Sequence, residues 1–206
     1  MEIIEEIVKR SRKTEHGFND LQLAANEIIL SGDAARSKQI SLELLCSEFH
    51  QARCVGTFLL GHLAALDLDA LHVLKDRVSN DDDWRVQEIL AKAFDQFCRD
   101  TGYEAALPII RDWLSAAIPN TRRAVTEGLR IWTARPYFRD RPAVAVGLLS
   151  AQRREESEYL RKSVGNALRD ISKKHPELVR QETANWDLAA RGVQEVYKLA
   201  RRFIAD

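Results

Sequence analysis

Along most of the chain apolar residues return every three or four positions, and period-two alternation is almost absent. That period places one stripe of each segment on a helix face turned towards a core. In residues 159–179 the stripe is Leu160, Val164, Ala167, Leu168 and Ile171, while Lys162, Asn166 and Asp170 stack four apart on the opposite side. In residues 83–100 it is Val86, Ile89, Leu90, Ala93 and Phe97, with Trp84, Glu88, Lys92 and Asp95 together on the other face. In residues 120–133 Arg123, Glu127 and Arg130 share a polar face, and Trp132 stands at a spacing from Val125 and Leu129 that also suits the core. The pattern predicts helices near 2–14, 19–30, 34–48, 50–65, 68–78, 83–100, 103–116, 120–133, 141–151, 157–174, 176–184 and 188–204. Gly32, Gly102, Pro119, Pro136 and Pro176 punctuate them.

The segments DDDWRVQEILAKAF, IPNTRRAVTEGLRIW and ESEYLRKSVGNALRD each open on polar capping residues and then set an arginine ahead of the apolar stripe. From Arg85 to Arg122 is 37 residues and from Arg122 to Arg161 is 39; a weaker copy places Arg53 another 32 upstream. Helix pairs at intervals near 40 are the mark of HEAT-type repeats. The expected fold is therefore all-α, an α-α superhelix of HEAT-like helix pairs in one domain over residues 1–206, with a concave groove lined by the second helix of each pair.

Composition adds one thing to this picture. The whole chain is neutral, with 31 Lys/Arg against 31 Asp/Glu, yet residues 1–110 hold 12 against 19, a net of −7, and residues 111–206 hold 19 against 12, a net of +7. A basic second half is suited to a polyanion, although basic helices packed beside acidic ones give the same count. The first residues contain no apolar signal core, and no run approaches a membrane span, so a cytoplasmic location is expected. Cys46, Cys54 and Cys98 lack CxxC spacing, and His16, His50, His62, His72 and His175 are scattered without paired-ligand spacing. Neither a metal nor a cofactor is implied. Gly-rich phosphate loops and nucleophile elbows are missing too.

The run from DWRVQE through RRAVTEGLRIWTARPYF to EYLRKSVGNALRDISKKHPELV resembles the HEAT-like DNA alkylation repair proteins, the AlkD/AlkC group of DNA glycosylases, over roughly residues 40–200. RKSVGNALRDISKKHPELV is similar to the Arg-x-Ser-Val-x-Asn-x-Leu-x-Asp-Ile-x-Lys signature of the AlkC branch. The chain departs from that branch in its shortness, in having no appended immunoglobulin-like domain, and in reading RIWTARP where the pattern is Arg-Pro-x-Leu-Pro-Trp. The resemblance implies a solenoid that grips duplex DNA and excises cationic N-alkylated purines as a monomer, associated with the nucleoid through its DNA.

Carried over by position, Asp170, Glu88 and Trp132 match the lesion-recognition cleft and are the implied catalytic residues. Trp84, Asn166 and Glu127 are the implied lesion and DNA contacts. Arg122, Arg123, Arg130, Arg161 and Lys162, with Lys173 beside them, are the implied phosphate-binding positions. The chemistry is coherent: an N3- or N7-alkylpurine is already cationic, its departure shifts positive charge to the sugar, and a fixed carboxylate with an indole face stabilises both. Two other functions stay open, a non-catalytic binder of damaged or branched DNA and a HEAT-type protein-interaction scaffold.

Overall fold

The computed structural model describes residues 2–204. Among them there are thirteen α-helices and no strand. In order they are α1 (Glu2–Ser11), α2 (Asn19–Ile29), α3 (Ala34–Leu44), α4 (His50–Leu63), α5 (Leu68–Asp76), α6 (Trp84–Thr101), α7 (Leu107–Leu114), α8 (Pro119–Gly128), α9 (Pro136–Asp140), α10 (Pro142–Ser150), α11 (Glu158–Ser172), α12 (Pro176–Ala184) and α13 (Arg191–Ala200). Short 3-10 turns cover Val78–Asn80 and Trp132–Ala134. The all-α, helical-repeat class expected from periodicity is what the chain adopts. The expected helices run a few residues past the observed ends, and α9, only five residues long, is too short for periodicity to disclose.

All five prolines sit at the first or second position of a helix, opening α7, α8, α9, α10 and α12. There the missing N–H would have had no intrahelical partner, and the fixed φ suits the helix. Gly32 and Gly102 end α2 and α6 with φ of 80° and 89°, a left-handed turn that other residues adopt only under strain. Side-chain caps start other helices: Asp33 accepts from the Arg36 N–H at 2.8 Å, and Ser157 accepts from the Leu160 N–H at 3.4 Å.

The contacts divide the chain into two compact units, Met1–Thr101 and Gly102–Asp206. Unit 1 is built around α4, which packs on α2, α3, α5 and α6. Ten of its fourteen residues are buried, so it is apolar nearly all round. Unit 2 is built around α11, which packs on α8, α10, α12 and α13. Glycines set how closely these central helices approach: a Cβ at Gly61 would lie 2.7 Å from the Ala93 Cα of α6, and one at Gly165 would lie 2.7 Å from the Leu199 Cβ of α13.

The arginines that mark the repeat are its staples. Arg53 of α4 donates back to the carbonyls of Ser47 and Glu48 at 3.1 and 3.0 Å, and forward to Asp81 at 2.6 and 3.1 Å. Arg122 of α8 reaches the carbonyls of Ala116 and Ala117, then Glu155 at 2.6 Å. Arg161 of α11 reaches the carbonyls of Glu155 and Glu156, then Glu195 at 3.0 Å. Each side chain thus closes the loop before its own helix and ties that helix to a carboxylate 28 to 34 residues on. Arg85 departs from the pattern and forks instead onto Asp83, at 2.8 and 2.7 Å.

Two tests follow from this packing. Gly61→Ala is expected to destabilise by about 1–3 kcal/mol through overpacking against the α6 backbone, whereas Gly147→Ala in α10, where a Cβ meets nothing within 4 Å, is expected to stabilise by about 0.5–1 kcal/mol. Urea melts of the two variants check the opposite signs. Arg122→Ala should cost roughly 3 kcal/mol by leaving a mostly buried Glu155 unpaired, while Lys162→Ala, which breaks only an exposed pair with Glu158, should leave stability nearly unchanged. Equal losses would mean that the staple has no special weight.

Candidate nucleic-acid interface

In unit 2 the polar face expected on α8 and α11 splits into two ends. At the N-terminal end Arg122 and Arg161, expected on phosphates, are spent on the carbonyls and carboxylates described above, and their side chains are each only 14% exposed. Arg123 is buried and its guanidinium lies 4.2 Å from the centre of the half-exposed Tyr159 ring. Lys162 is exposed, 2.6 Å from Glu158. Asn166, one turn further along α11, is partly buried.

At the C-terminal end the cations converge on Asp170. Its carboxylate receives Lys173 Nζ at 2.9 Å, Arg169 Nη2 at 3.3 Å and Arg130 Nε at 3.4 Å, and its side chain is 14% exposed. Glu127 approaches the same Arg130 at 3.7 Å. Burial would push the Asp170 carboxyl up, but the Lys173 hydrogen bond and the charges of Arg169 and Lys173 hold it below the ordinary value. The group is ionised at neutral pH, yet three cations share its single charge. Lys173 also lies 5.3 Å from the centre of the exposed Phe203 ring, whose other neighbour is Arg202 at 5.9 Å. A contiguous strip results, running Arg130, Asp170, Lys173, Phe203, Arg202. Periodicity hides this end of the strip, because Phe203 falls three residues after Ala200 and seven after Val196, which is core spacing, although Ala200, Val196 and Ile204 are the residues that turn inward.

Trp132 does not face this strip. Its indole is fully buried and meets Phe138 edge-on, with ring centres 4.9 Å apart, so it acts as a core residue of unit 2. The spacing from Val125 and Leu129 was the correct guide to its place.

In unit 1 Trp84 opens α6 and is 60% exposed, the only tryptophan of the four that is not buried. Glu88 follows one turn later and is partly buried. Lys92 is exposed and lies 5.5 Å from the Phe18 ring centre. Asp95, expected beside them, is buried and paired with Arg99 at 3.3 Å; it shares their helix face, but three turns further along α6 that face is covered. The hydrogen bond from Arg85 holds the Asp83 carboxyl down to about 2 and fixes the start of α6. Burial pushes the Cys54 thiol up to about 12, leaving it an inert core group. Among the described residues no helix is long and apolar enough to cross a membrane, and no three His, Cys, Asp or Glu side chains gather where they could hold a metal ion.

These observations meet those from known proteins. The crystal structure of AlkD2 from Streptococcus mutans is 45% identical in sequence and matches 100% of this chain and 99% of its own, with a TM-score of 0.97. That of smu.31 from Streptococcus mutans UA159 is 43% identical, covering 98% of this chain and 100% of its own, with a TM-score of 0.94. The uncharacterized protein YhaZ of Bacillus subtilis is 36% identical over 78 residues, which is 36% of this chain and 22% of that protein, so the chain spans less than a quarter of that relative's length. Residues 120–180 had resembled the AlkC branch, whereas a structure that covers the whole chain carries the AlkD2 name. The family model of the DNA alkylation repair enzyme matches residues 19–182, and the chain belongs to that family.

Proposed function

We propose that the protein is a monofunctional glycosylase acting on duplex DNA that carries cationic N3- or N7-alkylated purines, and that the alkylated base meets Trp84 and Glu88 of α6. The observation that carries this reading is the exposure of Trp84 one turn ahead of a carboxylate. An exposed indole face attracts a cationic purine. A carboxylate beside it stabilises the oxocarbenium character that develops on the deoxyribose as the base leaves with the bonding electrons, and water then completes the sugar. Asp170, the other implied acid, has its charge shared among Arg130, Arg169 and Lys173, so its surroundings repel a cationic base. Its part is to position those cations. Arg130, Lys173, Lys162 and Arg202 would hold phosphates, which fixes the duplex without reading sequence.

The placement of Trp132 in the core and the enclosure of Asp170 favour a second reading, a protein that binds alkylated DNA without removing the base. One experiment separates the two. With methylated duplex DNA, the wild-type protein should release 3-methyladenine or 7-methylguanine, and Glu88→Gln should slow release on the order of 100-fold, as for loss of one preorganised charge contact. Asp170→Asn should excise within a few-fold of the wild type and bind the duplex more tightly, since it unmasks three cations. Binding without release decides for the second reading, and a larger loss from Asp170→Asn than from Glu88→Gln moves the chemistry to unit 2.

Duplex affinity should also fall steeply with salt. Three to four phosphate contacts predict a loss on the order of 100-fold between 50 and 200 mM salt. An affinity indifferent to salt over that range would remove the phosphate role from the strip.

A further inference from the structure

Gln87 lies in the first turn of α6 and is 5% exposed. Its Nε2 donates back to the chain that leads into the helix, to the carbonyls of Asp81 at 2.7 Å, Val78 at 3.0 Å and Ser79 at 3.4 Å. Its Oε1 is buried and accepts no hydrogen bond among the described residues. We infer that Gln87 is a positioning residue, which holds the start of α6 so that Trp84 and Glu88 keep one fixed arrangement; the inference rests on the reading that these two side chains meet the alkylated base.

A carboxamide is a poor choice for this position if only packing matters. A buried acceptor without a donor lowers stability, and methionine or leucine would fill much the same space with no orphan atom. What the amide brings is its pair of N–H donors. They face the carbonyls of a single turn, and the reverse orientation would set oxygen against oxygen. The Val78 carbonyl already accepts from the Asp81 N–H at 3.0 Å, so the distinctive contact is the one to the Asp81 carbonyl, six residues earlier. That bond closes the segment that carries Trp84.

Asp81 is also where this segment is fastened to the rest of unit 1. Arg53 of α4 forks onto its carboxylate at 2.6 and 3.1 Å, the same carboxylate accepts the Asp83 N–H at 2.9 Å, and Asp83 in turn accepts the Arg85 N–H at 2.9 Å. Asp81 thus takes its place from α4, and Gln87 carries that place into α6. Trp84 stands midway, three residues from each, and Glu88 follows Gln87 directly. Because Trp84 is 60% exposed, its own packing does little to hold it, and the bonds from Asp81 to Gln87 fix the backbone from which it projects. A reacting group misplaced by about 1 Å loses much of its rate advantage, so this support bears on the rate more than on the grip.

The test is Gln87→Met, which keeps length and volume and removes both donors, with Gln87→Glu, which sets an acceptor against the carbonyls, as the second variant. In single-turnover assays on methylated duplex DNA both should release base about tenfold more slowly while duplex affinity stays within about twofold, a split that a loosened site gives and a partly unfolded protein does not. In protein labelled with 5-fluorotryptophan, the fluorine resonance that Trp84→Phe removes should shift or broaden in Gln87→Met. The resonances of the buried Trp113, Trp132 and Trp186 should stay where they are. Release at the wild-type rate, a loss of affinity as large as the loss of rate, or an unchanged Trp84 resonance overturns the inference. Failure of both variants to fold in thermal melts overturns it too, by making Gln87 a structural residue alone. A wild-type protein that binds the duplex and releases no base removes excision by itself, and the Trp84 resonance then decides for Gln87, moved in Gln87→Met if the amide holds Trp84 and unmoved if it does not.

Discussion

A helical repeat holds together only if each helix layer is fastened to the next, and in this chain the fastening is a guanidinium. Arg53, Arg122 and Arg161 each satisfy two loop carbonyls that precede a helix and one carboxylate from further along. The geometry suits arginine and would defeat lysine. A planar fork with five donors can serve two carbonyls and a carboxylate at once, while an ammonium is a point charge with a stronger claim to water. One carbonyl of each pair is part-buried and would otherwise lack a donor, the other is exposed, and the partly buried carboxylates bring in charge that needs an answer. The repeat interval read from the sequence is thus the spacing of an electrostatic staple.

This has a consequence for the charge left over. Residues 111–206 carry a net of +7. The arginines that made that half look like a phosphate grip are the ones consumed inside it. One cluster that does reach solvent lies at the other end of α8 and α11, where Arg130, Lys173 and Arg202 gather around Asp170 and Phe203. Cations at helix C-termini are also favoured by the helix dipole, which steadies the strip without any ligand. Asp170 lowers the mutual repulsion of its three partners. Its removal would free charge for DNA and cost order in the strip.

The fold was legible in the sequence because a buried stripe and a capping residue are local signals, and both repeat. Trp132 was legible too, in the sense that its spacing from Val125 and Leu129 pointed to the core while family likeness pointed to the cleft; burial followed the spacing. The site was legible only in part. Periodicity tells which face of a helix is polar, but it cannot tell a polar side chain in water from one spent on a carbonyl, and Arg122, Arg161 and Lys162 looked alike on paper. Arg122 and Arg161 are enclosed, and Lys162 is exposed beside Glu158. Phe203 was hidden for the opposite reason, a core spacing at the frayed end of α13, where the helix no longer enforces it.

The aromatic side chains of the two candidate surfaces differ in whether their faces already carry a cation. A ring face that already carries a cation is a poor receptor for another one. Tyr159 has the Arg123 guanidinium 4.2 Å from its centre, and Phe203 lies between Lys173 and Arg202. Their quadrupoles are engaged by these cations. Trp84 has the Arg85 guanidinium 5.9 Å from its ring centre, and that guanidinium is forked onto Asp83, which offsets its charge at short range. Glu88 lies one turn further along the same helix. Of the exposed aromatic rings that define the two candidate surfaces, the one on α6 is 60% exposed and has its neighbouring guanidinium answered by a carboxylate. On the proposed reading, selectivity for alkylated over normal bases would need no hydrogen-bond code, because the alkyl group itself supplies the charge that an indole and a carboxylate recognise.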